Sequence, residues 1–341
     1  MPKLTVLMPV YNAEKYLREA LESILEQTFA DFEFLIIDDY STDNSIDIVN
    51  SYKDNRIRLV RNVQNMGISK TLNKGIELAS SDLIARMDAD DISLPERLNK
   101  QYNYLQEHPD CSMVSSNVEV ISENGERLYL YQRESKLFYY NLTFYCWIYH
   151  PSVMYRRQPI QDVGMYPPTL SEDFHLWSKL IRKYSFYNMQ EILIKYRMTK
   201  ESVSNSVYAE EYRAAAKKQI KENLRYFVGE DYIIPDGWLE AYRNNFDPLC
   251  KPPRVSEMAS CISELDKITP HILKKENKNR DPEAIKIAAD QKKKYLFESF
   301  LKRISTVHKA QLMMRTGNYW QFSKFLFLWT NGKIKRLINL H

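Results

Sequence analysis

The chain has 341 residues, 44% of them hydrophobic and 27% charged, with a formal net charge of +4. That length exceeds one small domain and suits a core domain of about 200–250 residues with an extension. Its four cysteines, Cys111, Cys146, Cys250 and Cys261, stand far apart with no C-x-x-C pair. This argues against a zinc knuckle or a disulfide framework and fits a reducing cytoplasm.

Leu4–Val10 is a short apolar run and reads as a buried strand. At about seven residues, broken by Pro9, it is too short for a signal peptide. Leu17, Leu21, Ile24 and Leu25 then follow helical spacing over residues 13–27. Phe32–Ile37 is a second strand, ending in Asp38-Asp39, and a helix carries Ile46, Val49 and Tyr52. Ile57–Val60 is a third strand, and Leu72, Ile76 and Ala79 mark a third helix after the loop Asn65–Gly67. Leu83–Met87 is a fourth strand. Strands alternating with helices predict a parallel sheet covered on both faces. Ligands of such sheets sit at the carboxyl ends of the strands.

A helix follows at about residues 95–107, with Ser93 as its expected N-cap and Pro95 in its first turn. Met113–Ile121 and Arg127–Tyr131 flank Glu123-Asn124-Gly125-Glu126 and read as a hairpin. An aromatic-rich stretch follows, from Phe138 to Trp147, then a strand at Ser152–Tyr155. Ser171-Glu172-Asp173 opens a helix with Phe174, Trp177, Leu180 and Ile181 on its apolar side, and Ile192–Tyr196 closes the domain as a strand. From about Tyr208 the sequence is helical and charged. The expected division is residues 1–205 and a helical extension, 206–341. No run of 18 apolar residues exists, so no membrane span is expected.

The chemistry concentrates at Asp88-Ala89-Asp90-Asp91, just after the fourth strand. Carboxylates crowded at a strand end repel each other. Mg²⁺ or Mn²⁺ relieves that repulsion, prefers hard oxygen ligands and keeps positions open for a diphosphate.

Several motifs occur in order: T-V-L-M-P-V-Y-N at Thr5–Asn12, I-I-D-D-Y-S-T-D-N-S at Ile36–Ser45, N-M-G-I-S-K-T-L-N-K-G at Asn65–Gly75, D-A-D-D, and S-E-D at Ser171–Asp173. The set resembles the family 2 glycosyltransferases over about residues 3–205. The resemblance implies an α/β GT-A fold, Rossmann-like, with a mostly parallel sheet and helices on both faces. It implies an inverting enzyme that moves a sugar from a nucleotide-diphosphate donor, UDP in the first instance, to a glycan hydroxyl. It places Pro9, Tyr11, Asn12, Asp39, Asn65, Gly67 and Asp88 at the nucleotide and Asp90 on Mn²⁺ or Mg²⁺. Asp38 supports Asp39, which accepts from the uracil imide. Asp173 matches the base that takes the acceptor's proton, as a hydroxyl requires at neutral pH. Asp91, His150, Glu172 and Arg197 fall to the acceptor or the diphosphate, and Asn73 reads either as part of the site or as a helix-surface residue. Two positions depart from the family pattern: Tyr40 stands where Gly is usual, and Thr199 where a His is expected near the end of the domain.

Charge is uneven along the chain. Residues 1–200 carry 23 Lys and Arg against 27 Asp and Glu, and residues 201–341 carry 25 against 17. The basic C-terminal stretch holds Phe297, Phe300, Tyr319, Trp320, Phe322, Phe325, Phe327 and Trp329. It suits peripheral attachment to an anionic membrane, or a helical cap with these rings in its core. Attachment would place the protein on the inner face of the cell membrane, beside a lipid-linked acceptor. No nucleic-acid motif accompanies the basic residues. Two other functions compete with transfer. A sugar nucleotidyltransferase would carry a Gly-rich basic loop where this chain reads P-V-Y-N-A-E-K-Y. A non-catalytic nucleotide-sugar scaffold is kept open by the departures at Tyr40 and Thr199, although Asp90 and Asp173 both remain.

Overall fold

The computed structural model describes residues 1–199 and 209–317. The chain forms two compact units, residues 1–219 with 277–281, and residues 220–276 with 282–341.

In the first unit, β1 (Leu4–Val10), β2 (Phe32–Asp38), β3 (Ile57–Arg61) and β4 (Leu83–Arg86) run parallel in the order β3-β2-β1-β4. Helices α1 (Leu17–Leu25), α2 (Ser45–Ser51) and α3 (Ile68–Leu78) make the crossovers. The apolar spacing explains their docking: Leu17, Leu21 and Ile24 of α1 and Leu72 and Ile76 of α3 are fully buried. Every residue of β1 is buried, as expected for a strand covered on both faces. Gly75 lets α3 approach the sheet. A Cβ there would lie 2.2 Å from Cδ1 of the buried Leu7. Gly75→Val is therefore expected to cost about 1–3 kcal/mol through overpacking, read as a lower urea midpoint; an unchanged midpoint would contradict this packing.

The sheet continues with mixed strands. β5 (Ile92–Ser93) precedes α4 (Arg97–Glu107), and β6 (Cys111–Ile121) forms the hairpin with β7 (Arg127–Tyr131). After α5 (Phe138–Asn141) come β8 (Met154–Arg156), α6 (Arg157–Asp162), α7 (Glu172–Lys183) and β9 (Ser185–Arg197). The path runs β3-β2-β1-β4-β8-β6-β9-β5, with β7 beside β6. β9 is parallel to β6, while β8 and β5 are antiparallel to their neighbours.

The strand expected over Ile192–Tyr196 is the end of a 13-residue strand. Ser93 does not cap a helix. It pairs with Ile194, its N–H donates to Ser23 Oγ at 3.1 Å, and α4 begins only at Arg97. Pairing with β9 gives residues 92–93 a ladder that a cap would forfeit.

Helix α8 (Ala209–Val228) begins in the first unit and ends in the second. The second unit continues with α9 (Asp236–Tyr242), α10 (Asp247–Cys250), α11 (Val255–Lys274), α12 (Pro282–Leu301) and α13 (Thr306–Arg315). Its core includes Leu239, Tyr242, Met258, Leu265, Ile268 and Phe300, all at most 1% exposed. Phe297 and Phe300 are buried here, so these two rings are not available to a bilayer. The aromatic residues from Tyr319 to Trp329 lie outside the described residues. Among the described residues no helix is long and apolar enough to cross a membrane.

Candidate functional site

The parallel strands deliver their polar ends to one edge of the sheet. Pro9 sits within a central strand, where a missing N–H is usually costly. Leu7 O accepts from Met87 N–H, so alternate backbone groups of β1 face β4. β4 pairs only with Thr5–Leu7, so Pro9 faces the side where β4 has ended. Asn12 then adopts φ +47°. Its N–H donates to Ser41 Oγ at 3.0 Å, and its Oδ1 accepts from Thr42 N–H at 2.8 Å. Tyr11 beside it is 52% exposed.

At the end of β2 the two carboxylates divide their work. Asp38 is fully buried and ion-pairs with Arg61 Nε at 3.1 Å. Asp39 Oδ1 accepts from Asn62 Nδ2 at 2.7 Å and Met66 N–H at 2.8 Å. Its Oδ2 accepts from Gly67 N–H at 2.8 Å. Gly67 has φ +80°, the left-handed region that favours glycine. Asp39 thus fixes the 62–67 loop, and Oδ2 retains a lone pair for one more donor. Asn65 is exposed on that loop. Asn62 also accepts from Lys74 Nζ at 2.8 Å.

Asp88, Asp90 and Asp91 bring carboxylate oxygens within 4.8 Å of one another. Asp88 ion-pairs with the buried Arg86. Burial and the charge of Asp88 push Asp90 up to about 7. Burial and the other two carboxylates hold Asp91 well above the usual range. Asp91 Oδ1 accepts from Arg197 N–H at 2.7 Å, while its Oδ2 is buried without a partner among the described residues. An orphaned carboxylate oxygen facing two crowded neighbours fits a hard divalent cation. It does not fit a helix cap, since α4 starts six residues later, at Arg97.

The second acidic pair opens α7. Glu172 is buried, and its carboxyl is pushed up to about 8 by burial and by Asp173. Asp173 Oδ1 accepts from Phe174 N–H at 2.7 Å, and the Cys146 thiol donates to Oδ2 at 3.7 Å. Burial raises the Asp173 carboxyl, against the Phe174 amide and Arg86. Asp88 acts electrostatically on both residues of this pair. The strand-end carboxylates and the α7 pair therefore share one field, with Arg86 as its cation.

Three residues take roles other than those expected. Each of the three guanidinium nitrogens of Arg197 already makes a bond within the protein. Nε donates to Asp90 O, Nη1 to Glu123 O, and Nη2 pairs with Glu19, while the guanidinium covers Tyr16. His150 is buried, with Nε2 2.8 Å from the Tyr166 hydroxyl and Nδ1 3.6 Å from Glu172 Oε1. Burial and Arg86 hold it well below the usual imidazole range. Asn73 is a clamp, donating to Tyr166 O at 2.8 Å and accepting from its N–H at 3.0 Å.

Arg86, Asn62, Cys146 and Tyr166 complete the site without having been singled out from the sequence. Only Arg86 carried a signal, a lone charge inside the apolar run L-I-A-R-M.

The chain is similar to known proteins in sequence and fold. A model of Glycosyl transferase family 2 matches residues 5–164. An uncharacterized glycosyltransferase of Methanocaldococcus jannaschii is 35% identical over 211 residues, 58% of this chain and 71% of that protein. The UDP-Glc:alpha-D-GlcNAc-diphosphoundecaprenol beta-1,3-glucosyltransferase WfgD of Escherichia coli is 30% identical over 209 residues, 61% of this chain and 81% of that one. The fold resembles that of S. aureus TarS 1–349 in complex with UDP-GlcNAc, with a TM-score of 0.54 at 18% identity over 92% of each chain. A relative this similar over most of its own length, on a sheet that ends in these carboxylates, means that the chain belongs to glycosyl transferase family 2 and is a glycosyltransferase.

Proposed function

We propose that this protein transfers a sugar from a UDP donor to a hydroxyl of a lipid-diphosphate-linked glycan, with inversion, by one displacement. One observation carries the reading: the carboxylate oxygens of Asp88, Asp90 and Asp91 lie within 4.8 Å of one another at the end of β4, and an Asp91 oxygen is left without a partner among the described residues. An in-line displacement needs a base on one side of the sugar carbon and charge neutralisation on the other. Asp173 takes the proton of the attacking hydroxyl. Asp88, Asp90 and Asp91 would hold Mn²⁺ or Mg²⁺, which supplies Lewis-acid stabilisation of the departing diphosphate. Asp39, Gly67 and Tyr11 border the nucleotide. The E. coli relative named above acts on a diphosphoundecaprenol-linked sugar, which supports a surface-polysaccharide acceptor here. The basic residues beyond 317, outside the described residues, would favour an anionic membrane surface next to such an acceptor.

Calorimetric titration with UDP, GDP, dTDP and CDP, with and without Mn²⁺, tests the donor side. Metal-dependent binding with UDP the tightest is expected. Absence of binding by all four would reject the reading.

A further inference from the structure

We infer that Tyr40 is a further binding residue of the donor site, its ring forming a wall against which the nucleobase stacks. This rests on the donor reading above. Tyr40 adopts φ +69°, in the left-handed region. A large side chain is an outlier there and holds a conformation that glycine adopts freely. Nothing in the turn requires an aromatic residue, and strain of this kind clusters at ligand clamps. The ring is 46% exposed. It stands beside the nucleotide edge: Asp39 N–H donates to Val10 O at 2.8 Å, so Tyr40 and the half-exposed Tyr11 project from neighbouring strand ends.

The ring is also backed. The Arg61 guanidinium lies 5.4 Å from its centroid. Arg61 Nη2 donates to Ser41 O at 2.8 Å, and Nε is ion-paired with the buried Asp38. A held cation beneath an exposed ring is a rigid platform. Every nucleobase has a flat face that such a platform accepts, which makes stacking tolerant of base identity. The competing use of the ring is as a rim for a concavity of about 440 Å³ on the α2 side, lined by Thr42, Asp43, Ile46 and Asp47 as well as Tyr40 and Arg61.

The test compares the full-length protein with Tyr40→Gly and Tyr40→Phe. Thermal unfolding and calorimetric affinity for UDP, GDP and CDP are measured with Mn²⁺ present. Tyr40→Gly is expected to raise the melting temperature by about 2–4 °C, through relief of the left-handed strain. It should weaken all three nucleotides to a similar degree, on the order of tenfold. Tyr40→Phe should keep wild-type affinity. Unchanged affinity in Tyr40→Gly, with wild-type protein binding UDP, would assign the ring to the α2 concavity and overturn the inference while leaving the donor reading intact. Wild-type protein that binds none of the nucleotides would overturn both.

Discussion

Replacing Asp173 with Asn is expected to lower sugar transfer by about 10²–10⁴-fold, the usual worth of a general base, and to leave UDP affinity nearly unchanged. The amide matches the carboxylate in size. It still accepts from the Phe174 amide through its oxygen, so the start of α7 stays formed. It cannot take a proton from an acceptor hydroxyl. The pH profile follows from the same environment. Burial raises the Asp173 carboxyl, and Glu172 beside it is pushed up to about 8. The base works only when unprotonated, so the rate falls as pH drops, and the acid limb lies above the ordinary carboxylate range. Normal transfer by the Asn variant, with UDP binding lost instead, would move Asp173 from the base to the donor site.

Asp90→Ala should remove the metal-dependent part of UDP binding, weakening it by about 100-fold or more while the metal-free component persists. A linked effect appears in stability. Asp90 is pushed up to about 7, and Asp91 stands well above its ordinary value. Their folded-state pKa values exceed the unfolded ones. Their contribution to stability is therefore complete below the unfolded carboxylate pKa and is lost as pH rises through the folded values. Metal-free protein should melt at a lower temperature at pH 8 than at pH 5.5. Mn²⁺ competes with protons for these oxygens, so it should raise the melting temperature more at pH 8. Each kcal/mol recovered corresponds to about 2–4 °C for a unit of this size. Equal Mn²⁺ shifts at both pH values would show that the ion does not bind these carboxylates.

The half of the site built from local pattern was legible in the sequence. β1 to β4 alternate with helices, so their polar ends had to gather on one edge, and Asp39, Asp88 and Asp90 stand there. The misreadings share a cause. Ser93 resembles a cap until β9, about a hundred residues later, offers it a ladder. Arg197 looks like a phosphate ligand by residue type, but Glu19 and the carbonyls of Asp90 and Glu123 already engage each of its guanidinium nitrogens. His150 and Asn73 both serve the loop at Tyr166. Such roles depend on long-range packing, which periodicity and composition do not encode. Tyr40 is the reverse case. The departure was visible in the sequence, and its meaning came only from the positive φ and the arginine under the ring.

The bond from the Arg197 amide to Asp91 spans 106 residues of chain. Asp91 leaves the ribosome long before its partner does. At about 5–20 residues per second the gap lasts roughly 5–20 s. During that time the parallel half of the sheet has all its strands, yet the third carboxylate lacks the amide that aims it. The Asp91 carboxylate gains this partner only once β9 pairs with β6. A nascent chain that has not reached residue 197 lacks the amide that holds Asp91, so the carboxylate group is left without one of its partners until the end of β9 is made.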